Sequence, residues 1–374
     1  MEPWKGNRKK LLGLLEEKGY ANLLLTTRAN IIYATGMRDP TGYLLLSRDC
    51  GDILLTPLLD YHRALSQAPR ELEVYAFLRG GENGVDADIP RNRLLRGSLA
   101  EVLSRLLEKC GGRTSTDAGA SSHQIARILL DELKIDNIAG DIMRIRAVKS
   151  DEELELISKA VRIAEEAFAQ ALKLLEEGVS EAEIAGSIYR EILARGGWET
   201  AFPTIVAFYA NSAYPHHTPK TEKLTVEGPV LIDWGAVYMG YRSDTTRTFW
   251  WGVKTPSQFQ KHLESVLDAV NAAYDVLGPG VLAGDVDNAA RLALKKEGLG
   301  KYFIHGLGHG VGIEVHEEPY LRPASKTVLE PGMVVTIEPG IYLPGLYGIR
   351  IEDLVTVTKT GYKTLTSLPH LLPA

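Results

Sequence analysis

The stretch HGLGHGVGIEVHEEP at 305–319 sets three histidines among four glycines and closes on an acidic pair and a proline. Imidazoles can ligate a metal, move protons or fill space, and the carboxylates elsewhere in the chain narrow the choice. VLIDWGAVYMGYRSDTTRTF places Asp233 near the end of one apolar strand pattern and Asp244, after ten intervening residues, in the next. A hairpin there brings both carboxylates to one face and one end. VVTIEPGIYLPGLYGIRIEDLVTV repeats the arrangement, with Glu338 just before Pro339-Gly340 and Glu352 interrupting the apolar run Ile349, Ile351, Leu354, Val355. An ionised carboxylate in such a run is costly unless a cation meets it, and Arg350, sharing its face at i, i+2, is the simplest partner. That pair leaves Asp233, Asp244 and Glu338 unexplained. Four carboxylates converging on one place repel each other, whereas two divalent cations neutralise four charges. His309 with four oxygen-donor side chains suits Mn²⁺, Co²⁺, Fe²⁺ or Zn²⁺ better than a thiolate-seeking metal.

These residues need strands to carry them. AVKSDEEL opens a second region: Ser150 and Glu153 make a capping box, and Leu154, Ile157, Val161, Ala164, Phe168, Ala171 and Leu175 recur at helical spacing behind it. Ser180 and Glu183 repeat the device for a helix that stops at Gly196-Gly197. Strand patterns follow at 202–208, 229–234, 241–250, 333–338 and 349–357, with helices at 257–277 and 284–297, so this region reads as α+β. The first 147 residues read as a separate α/β domain. Its pattern gives helices at 8–18, 94–110 and 122–133, strands at 21–26, 30–34, 43–47 and 52–56, and an exposed GGENGV loop at 80–85. The expected division is therefore 1–147 and 148–374.

Composition excludes several classes. The chain has 374 residues, 45% hydrophobic and 24% charged, ordinary for a soluble globular protein. No apolar run reaches the roughly 18 to 20 residues that span a bilayer, and the opening segment lacks the apolar stretch of a signal peptide. A net charge of −6 offers no basic face to nucleic acid. Cys50 and Cys110 are too few and too distant in sequence for a disulfide framework or thiolate metal site and read as buried free thiols in a reducing, cytoplasmic setting. The glycines at 306, 308, 310 and 312 miss the dinucleotide-binding register, GDVDN at 284–288 lacks the remainder of a calcium loop and reads as a helix start, and no GxSxG element competes.

Asp233, Asp244, His309, Glu338 and Glu352, in that order and in these contexts, closely resemble the ligand set of the pita-bread dinuclear metallopeptidases, which include methionine aminopeptidase, aminopeptidase P and prolidase. The resemblance covers the chain from about Val148 onward. The preceding α/β half resembles the creatinase-like extra domain of the prolidase and aminopeptidase P branch. It implies hydrolysis of the Xaa-Pro bond in dipeptides or short peptides by a metal-bridging hydroxide, two divalent ions per chain, and a homodimer. Asp233 would chelate one ion, Asp244 and Glu352 would bridge both, and His309 and Glu338 would complete the second. His216, in ANSAYPHHTP, and His316, in EVHEEP, match family histidines and take proton-transfer or oxyanion roles suited to a tertiary amide leaving group. His305 lines the substrate pocket, and Arg350 serves the substrate side while orienting Asp244 or Glu352. His217 fits a turn-capping or surface role as well as a substrate contact. AFYANSAYPHH lacks the family's frequent Ser-Gly pair, and the arginine after HEEP is displaced to Arg322. The rival readings are a catalytically silent pita-bread module that binds peptides and a metal-free creatinase-like amidinohydrolase. The complete carboxylate set counts against both.

Overall fold

A computed structural model describes residues 3–79 and 88–371; the GGENGV stretch lies outside the described residues. The chain forms two compact units, Met1–Ile145 and Arg146–Ala374. The split comes earlier than the expected 147/148 boundary because Arg146 and Lys149 both bond Glu317, and Val148 bridges Met333, so these residues belong to the second unit.

In the first unit seven strands among the described residues form one sheet in the order Leu94–Gly97, Leu72–Arg79, Asp52–Pro57, Tyr43–Ser47, Asn22–Leu25, Thr114–Thr116, Asp136–Asn137. Tyr43–Ser47 runs antiparallel to both its neighbours and the other pairings are parallel. The helix Leu99–Cys110, opened by a Ser98/Glu101 capping box, packs Val102, Leu103 and Leu106 onto Leu24, Leu45, Ile53 and Leu55. The segment expected as a 94–110 helix is thus a short strand followed by a helix, with the serine cap marking the switch. The segment expected as a strand at 30–34 is the helix Arg28–Thr35. Its apolar run is too short for periodicity to separate strand from buried helix. Tertiary bonds decide: buried Asp117 accepts from the Thr26 amide and hydroxyl, the Thr27 hydroxyl and the Asn30 amide side chain, each at 2.7 Å, and Gly36 closes the helix at φ 68°. Cys50 and Cys110 are joined in a disulfide with Cα atoms 5.3 Å apart, and neither is fully buried. Sequence distance misled here, since the turn after Tyr43–Ser47, at the end of the sheet's central strand, meets the end of Leu99–Cys110. The pair therefore gives no support to a reducing compartment.

In the second unit the helices Asp151–Ala171 and Glu181–Ala194 begin at the two expected capping boxes. Their apolar face is wider than the expected stripe: Leu156, Ala160, Ile163 and Ala167 are buried too, whereas Leu154 is half-buried and Leu175 lies beyond the helix. They cover a three-stranded sheet of Thr245–Trp251, Gly228–Trp234 and Ile205–Phe208. Phe168 stacks on Trp234 at 3.9 Å, and the indole N–H donates to Ala164 O. The helices Ser257–Val276 and Ala283–Lys296 share a second core with the five-stranded sheet Glu317–Leu321, Gly308–Gly310, Val334–Ile337, Asp353–Val357, Tyr362–Thr364. A ribbon of Gly340–Leu343 and Tyr347–Arg350 and a small sheet of Tyr241–Arg242, Ala236–Tyr238 and Glu199–Thr200 accompany them. The expected strand at 349–357 is divided between this ribbon and the larger sheet, with Ile351-Glu352 as the crossing point. One bridge, Thr246 to Glu352, links the two larger sheets. Among the described residues no helix is long and apolar enough to cross a membrane.

Candidate metal centre

The bridge between the sheets aligns three residues side by side. Asp233 pairs across Gly228–Trp234 with Thr246, and the Glu352 N–H donates to Thr246 O at 3.1 Å. Directly opposed residues share a sheet face, so Asp233, Thr246 and Glu352 face the same way, with Asp244 two residues before Thr246 on that same side. His309, at the middle of Gly308–Gly310, approaches from the other sheet, its Nε2 lying 3.3 Å from Glu338 Oε1 and 3.8 Å from Asp244 Oδ2. Asp244, His309 and Glu352 are buried and offer ligand atoms within 4.8 Å of one another. The structure thus brings all five expected metal residues to one seam. The flanking glycines serve that approach. A Cβ on Gly308 would sit 2.0 Å from Thr336 O, and one on Gly310 2.3 Å from Glu318 O, so only bare backbone lets the histidine strand fit between its neighbours.

The electrostatics show what these residues lack. Burial and the mutual repulsion of Glu352, Asp233 and Glu338 push the Asp244 carboxyl well above its ordinary range. Burial, then Glu338 and Asp233, do the same to Glu352. Burial raises Asp233 even against the opposing Arg350 charge. Burial also opposes ionisation of Glu338, but the His309 hydrogen bond and the nearby cationic groups outweigh it and hold this carboxyl at about 2. Asp233 Oδ1 is buried without a hydrogen bond, although its Oδ2 accepts from Arg350 at 2.6 Å. An orphaned buried carboxylate oxygen is a donor atom in want of a cation. His309 Nδ1–H donates to Gly310 O at 3.2 Å, which turns Nε2 toward the carboxylates, where a bound cation would replace the proton it shares with Glu338. Four carboxylates and one imidazole presented this way fit divalent cations.

A hydrogen-bonded shell surrounds them. Arg350, buried, donates to Asp233 Oδ2, to Thr246 Oγ1 at 3.0 Å and to Tyr342 Oη at 2.8 Å. The Thr246 hydroxyl in turn donates to Glu352 Oε2 at 2.6 Å. Arg350 therefore grips Asp233, not Asp244, and reaches Glu352 only through Thr246. The expected Arg350 to Glu352 pairing does not form because the two residues lie on either side of the crossing between ribbon and sheet. His305 Nδ1–H donates to Gly306 O at 2.7 Å, so its Nε2 accepts from the Tyr342 hydroxyl at 3.0 Å, and burial favours this neutral ring by lowering its pKa. Thr336 accepts from the His309 amide and donates to Glu338 Oε1 at 3.1 Å. The sequence reading missed Thr246, Thr336 and Tyr342. Spacing could have found the first two, because each threonine lies two residues from a ligand candidate and shares its strand face.

The outer histidines differ. His316 is solvent-facing with its ring 4.2 Å from that of His309, edge to face, and partial burial, then the His309 charge, lower its pKa. His216 is exposed and close enough to weigh on His316. His217 is neither a surface residue nor a simple turn cap: it is buried, and its Nε2–H donates to Glu181 Oε2 at 2.8 Å. Arg322 stacks over the Tyr320 ring at 5.2 Å.

Residues 155–359 match metallopeptidase family M24, and residues 7–148 match the Creatinase/Prolidase N-terminal domain. An Xaa-Pro dipeptidase of Pyrococcus furiosus is 34% identical over 364 residues, spanning 97% of this chain and 98% of the relative. The structure is similar to an X-Pro aminopeptidase from Thermotoga maritima, with TM-score 0.86, 28% identity and 98% and 99% of the two chains covered. It is also similar to the prolidase from Pyrococcus horikoshii, with TM-score 0.81, 31% identity and 97% and 99% covered. The expected architecture, a creatinase-type domain ahead of a pita-bread domain, is the one these matches show. With the catalytic-domain match spanning more than half of the chain and the likeness running its full length, the chain belongs to metallopeptidase family M24 and is a divalent-metal hydrolase with a creatinase/prolidase N-terminal domain.

Proposed function

We propose that this enzyme hydrolyses the Xaa-Pro bond of dipeptides or short peptides. The observation that carries the chemistry is the buried, under-satisfied carboxylate cluster at the seam, with the bare Asp233 Oδ1 at its edge. The specificity follows from the full-length relatives named as acting on Xaa-Pro bonds. These enzyme relatives favour catalysis over a silent peptide-binding module. Asp233, Asp244, His309, Glu338 and Glu352 would hold two divalent ions drawn from Mn²⁺, Co²⁺, Fe²⁺ and Zn²⁺. When bound, such ions acidify a water and polarise a carbonyl oxygen.

The chain's own groups do the rest. His316, neutral at pH 7 and open to solvent beside His309, can take or give a proton at its free ring nitrogen. His216 faces the same space and would stabilise the oxyanion or protonate the proline nitrogen, a tertiary amide that must gain a proton to leave. Neutral His305 forms pocket wall, with the lone pair of its Nε2 already engaged by Tyr342. Arg350, assigned above to the substrate side, would act from behind the site by fixing Asp233. A homodimeric state and a cytoplasmic location complete the proposal. A Cys50–Cys110 disulfide trapped by alkylation in freshly lysed cells would count against the second.

The test compares Xaa-Pro dipeptides, Xaa-Pro tripeptides and Met-Ala-Ser with added Mn²⁺, Co²⁺ or Zn²⁺. Cleavage of dipeptides alone marks a dipeptidase, and tripeptide cleavage at Xaa-Pro marks an aminopeptidase. Preference for Met-Ala-Ser, or no EDTA-sensitive cleavage of any of them, sinks the reading.

A further inference from the structure

Glu181 is the first residue of the helix Glu181–Ala194, yet its carboxylate is fully buried and points away from the helix into the loop that follows Ile205–Phe208. Oε1 accepts from the Phe208 amide at 2.8 Å and the Asn211 side chain at 2.9 Å. Oε2 accepts from His217 Nε2 and the Lys220 amide, both at 2.8 Å. Four donors from one loop thus converge on one carboxylate. A charged acceptor so engaged makes strong, directional bonds, and the helix N-terminus favours its negative charge.

The loop is pinned from the opposite side as well. Ser212 Oγ accepts from the Gly348 amide at 2.9 Å, and Arg350, which grips Asp233, donates to Pro215 O at 3.4 Å. The residue before His216 is therefore tied to the metal-side arginine and the residue after it to Glu181. Between them His216 itself stands exposed.

We propose that Glu181 and His217 are positioning residues: they hold the backbone on both sides of the His216 Cα so that its ring meets the substrate in one orientation. This rests on the catalytic reading of His216 given above. The two adjacent histidines then divide the labour, one as a reacting group and the other as its anchor. The geometric demand is high, since a displacement of about 1 Å at a reacting group can cost about 100-fold in rate. The anchor's contacts go to loop backbone and loop side chains, with no ligand candidate among them, so its loss is read in turnover and not in metal content.

The experiment is a double-mutant cycle on the metal-loaded enzyme with an Xaa-Pro dipeptide as substrate. H216A is expected to lower kcat about 100-fold, the range for a lost acid-base group. H217A is expected to lower kcat about 10-fold, with KM changed less than about 2-fold and bound metal unchanged. H217Q, whose side-chain amide can donate to Glu181 in place of Nε2–H, recovers most of the loss. In H216A/H217A the second change costs nothing further, a non-additivity that a merely structural weakening does not produce. If H217A fails to fold, E181Q, which keeps the volume and loses the charge, takes its place in the cycle. A silent H216A overturns the catalytic reading and this inference with it. An impaired H216A with a silent or fully multiplicative H217A overturns the positioning role alone.

Discussion

Asp117 in the first unit and Asp233 in the second are both buried, and their surroundings are opposite. Asp117 accepts from backbone amides, hydroxyls and an amide side chain of 26–30, and together they hold one local shape. Asp233 has one oxygen on Arg350, the other bare, and two further carboxyls nearby that burial and repulsion push up. A carboxylate buried to build a fold is surrounded by donors until its charge is satisfied. A carboxylate buried for function is left short of them, so that something from outside the chain completes it. The first unit also closes itself covalently through Cys50–Cys110, while the second is braced by buried ion pairs such as Lys149–Glu317 and Arg350–Asp233.

The sharpest way to break this contrast is to neutralise one carboxylate of each kind. E352Q should cost on the order of 1000-fold or more in activity, while the metal-free protein melts higher because a repelling charge is gone. D117N should do the reverse, destabilising the first unit by about 3 kcal/mol with metal affinity intact. Calorimetry with and without Mn²⁺ checks both, and parallel losses in the two variants would erase the distinction. Replacing both cysteines by serine reopens a 60-residue span and is expected to lower first-unit stability by up to about 4 kcal/mol, without changing metal stoichiometry. Guanidinium unfolding read by a probe in each unit measures it.

Glu317 carries the next effect. Burial works against its charge, but Lys149 and Arg146 overcome that and hold its carboxyl at about 2, against an ordinary 4.5. A depressed folded value means the stabilisation is fully present above pH 4.5 and is lost as pH falls toward 2. E317Q should therefore cost roughly 3 kcal/mol at pH 7 and flatten the acid limb over that window. An unchanged acid profile would remove the ion pair from the account. The smallest effect expected is Y342F, which uncouples His305 from Arg350. A fall of about 10-fold in kcat with metal affinity loosened by a similar factor fits a supporting hydroxyl, and metal titration separates the two.

Much of this was legible in the chain. The capping boxes at Ser150 and Ser180 set helix starts through bonds three residues long, and local sequence is sufficient for such contacts. The five carboxylate and imidazole residues stood out because charge in an apolar strand has few explanations. What local sequence could not reach was partnership across the fold. Residues 28–35 became helix through donors aimed at Asp117, 87 to 91 positions away. Cys50 found Cys110 across 60 residues, Arg350 passed over Glu352 two positions away to hold Asp233 at a separation of 117, and His217 turned inward to Glu181 36 positions earlier. The sequence by itself determined which side chains could bind a cation and in what order they occur, because residue type and strand periodicity are local properties. Only the tertiary structure decided which of them are satisfied, which are left bare and which hold the others in place, because hydrogen bonds and repulsion act over a few ångströms of space whatever the distance along the chain.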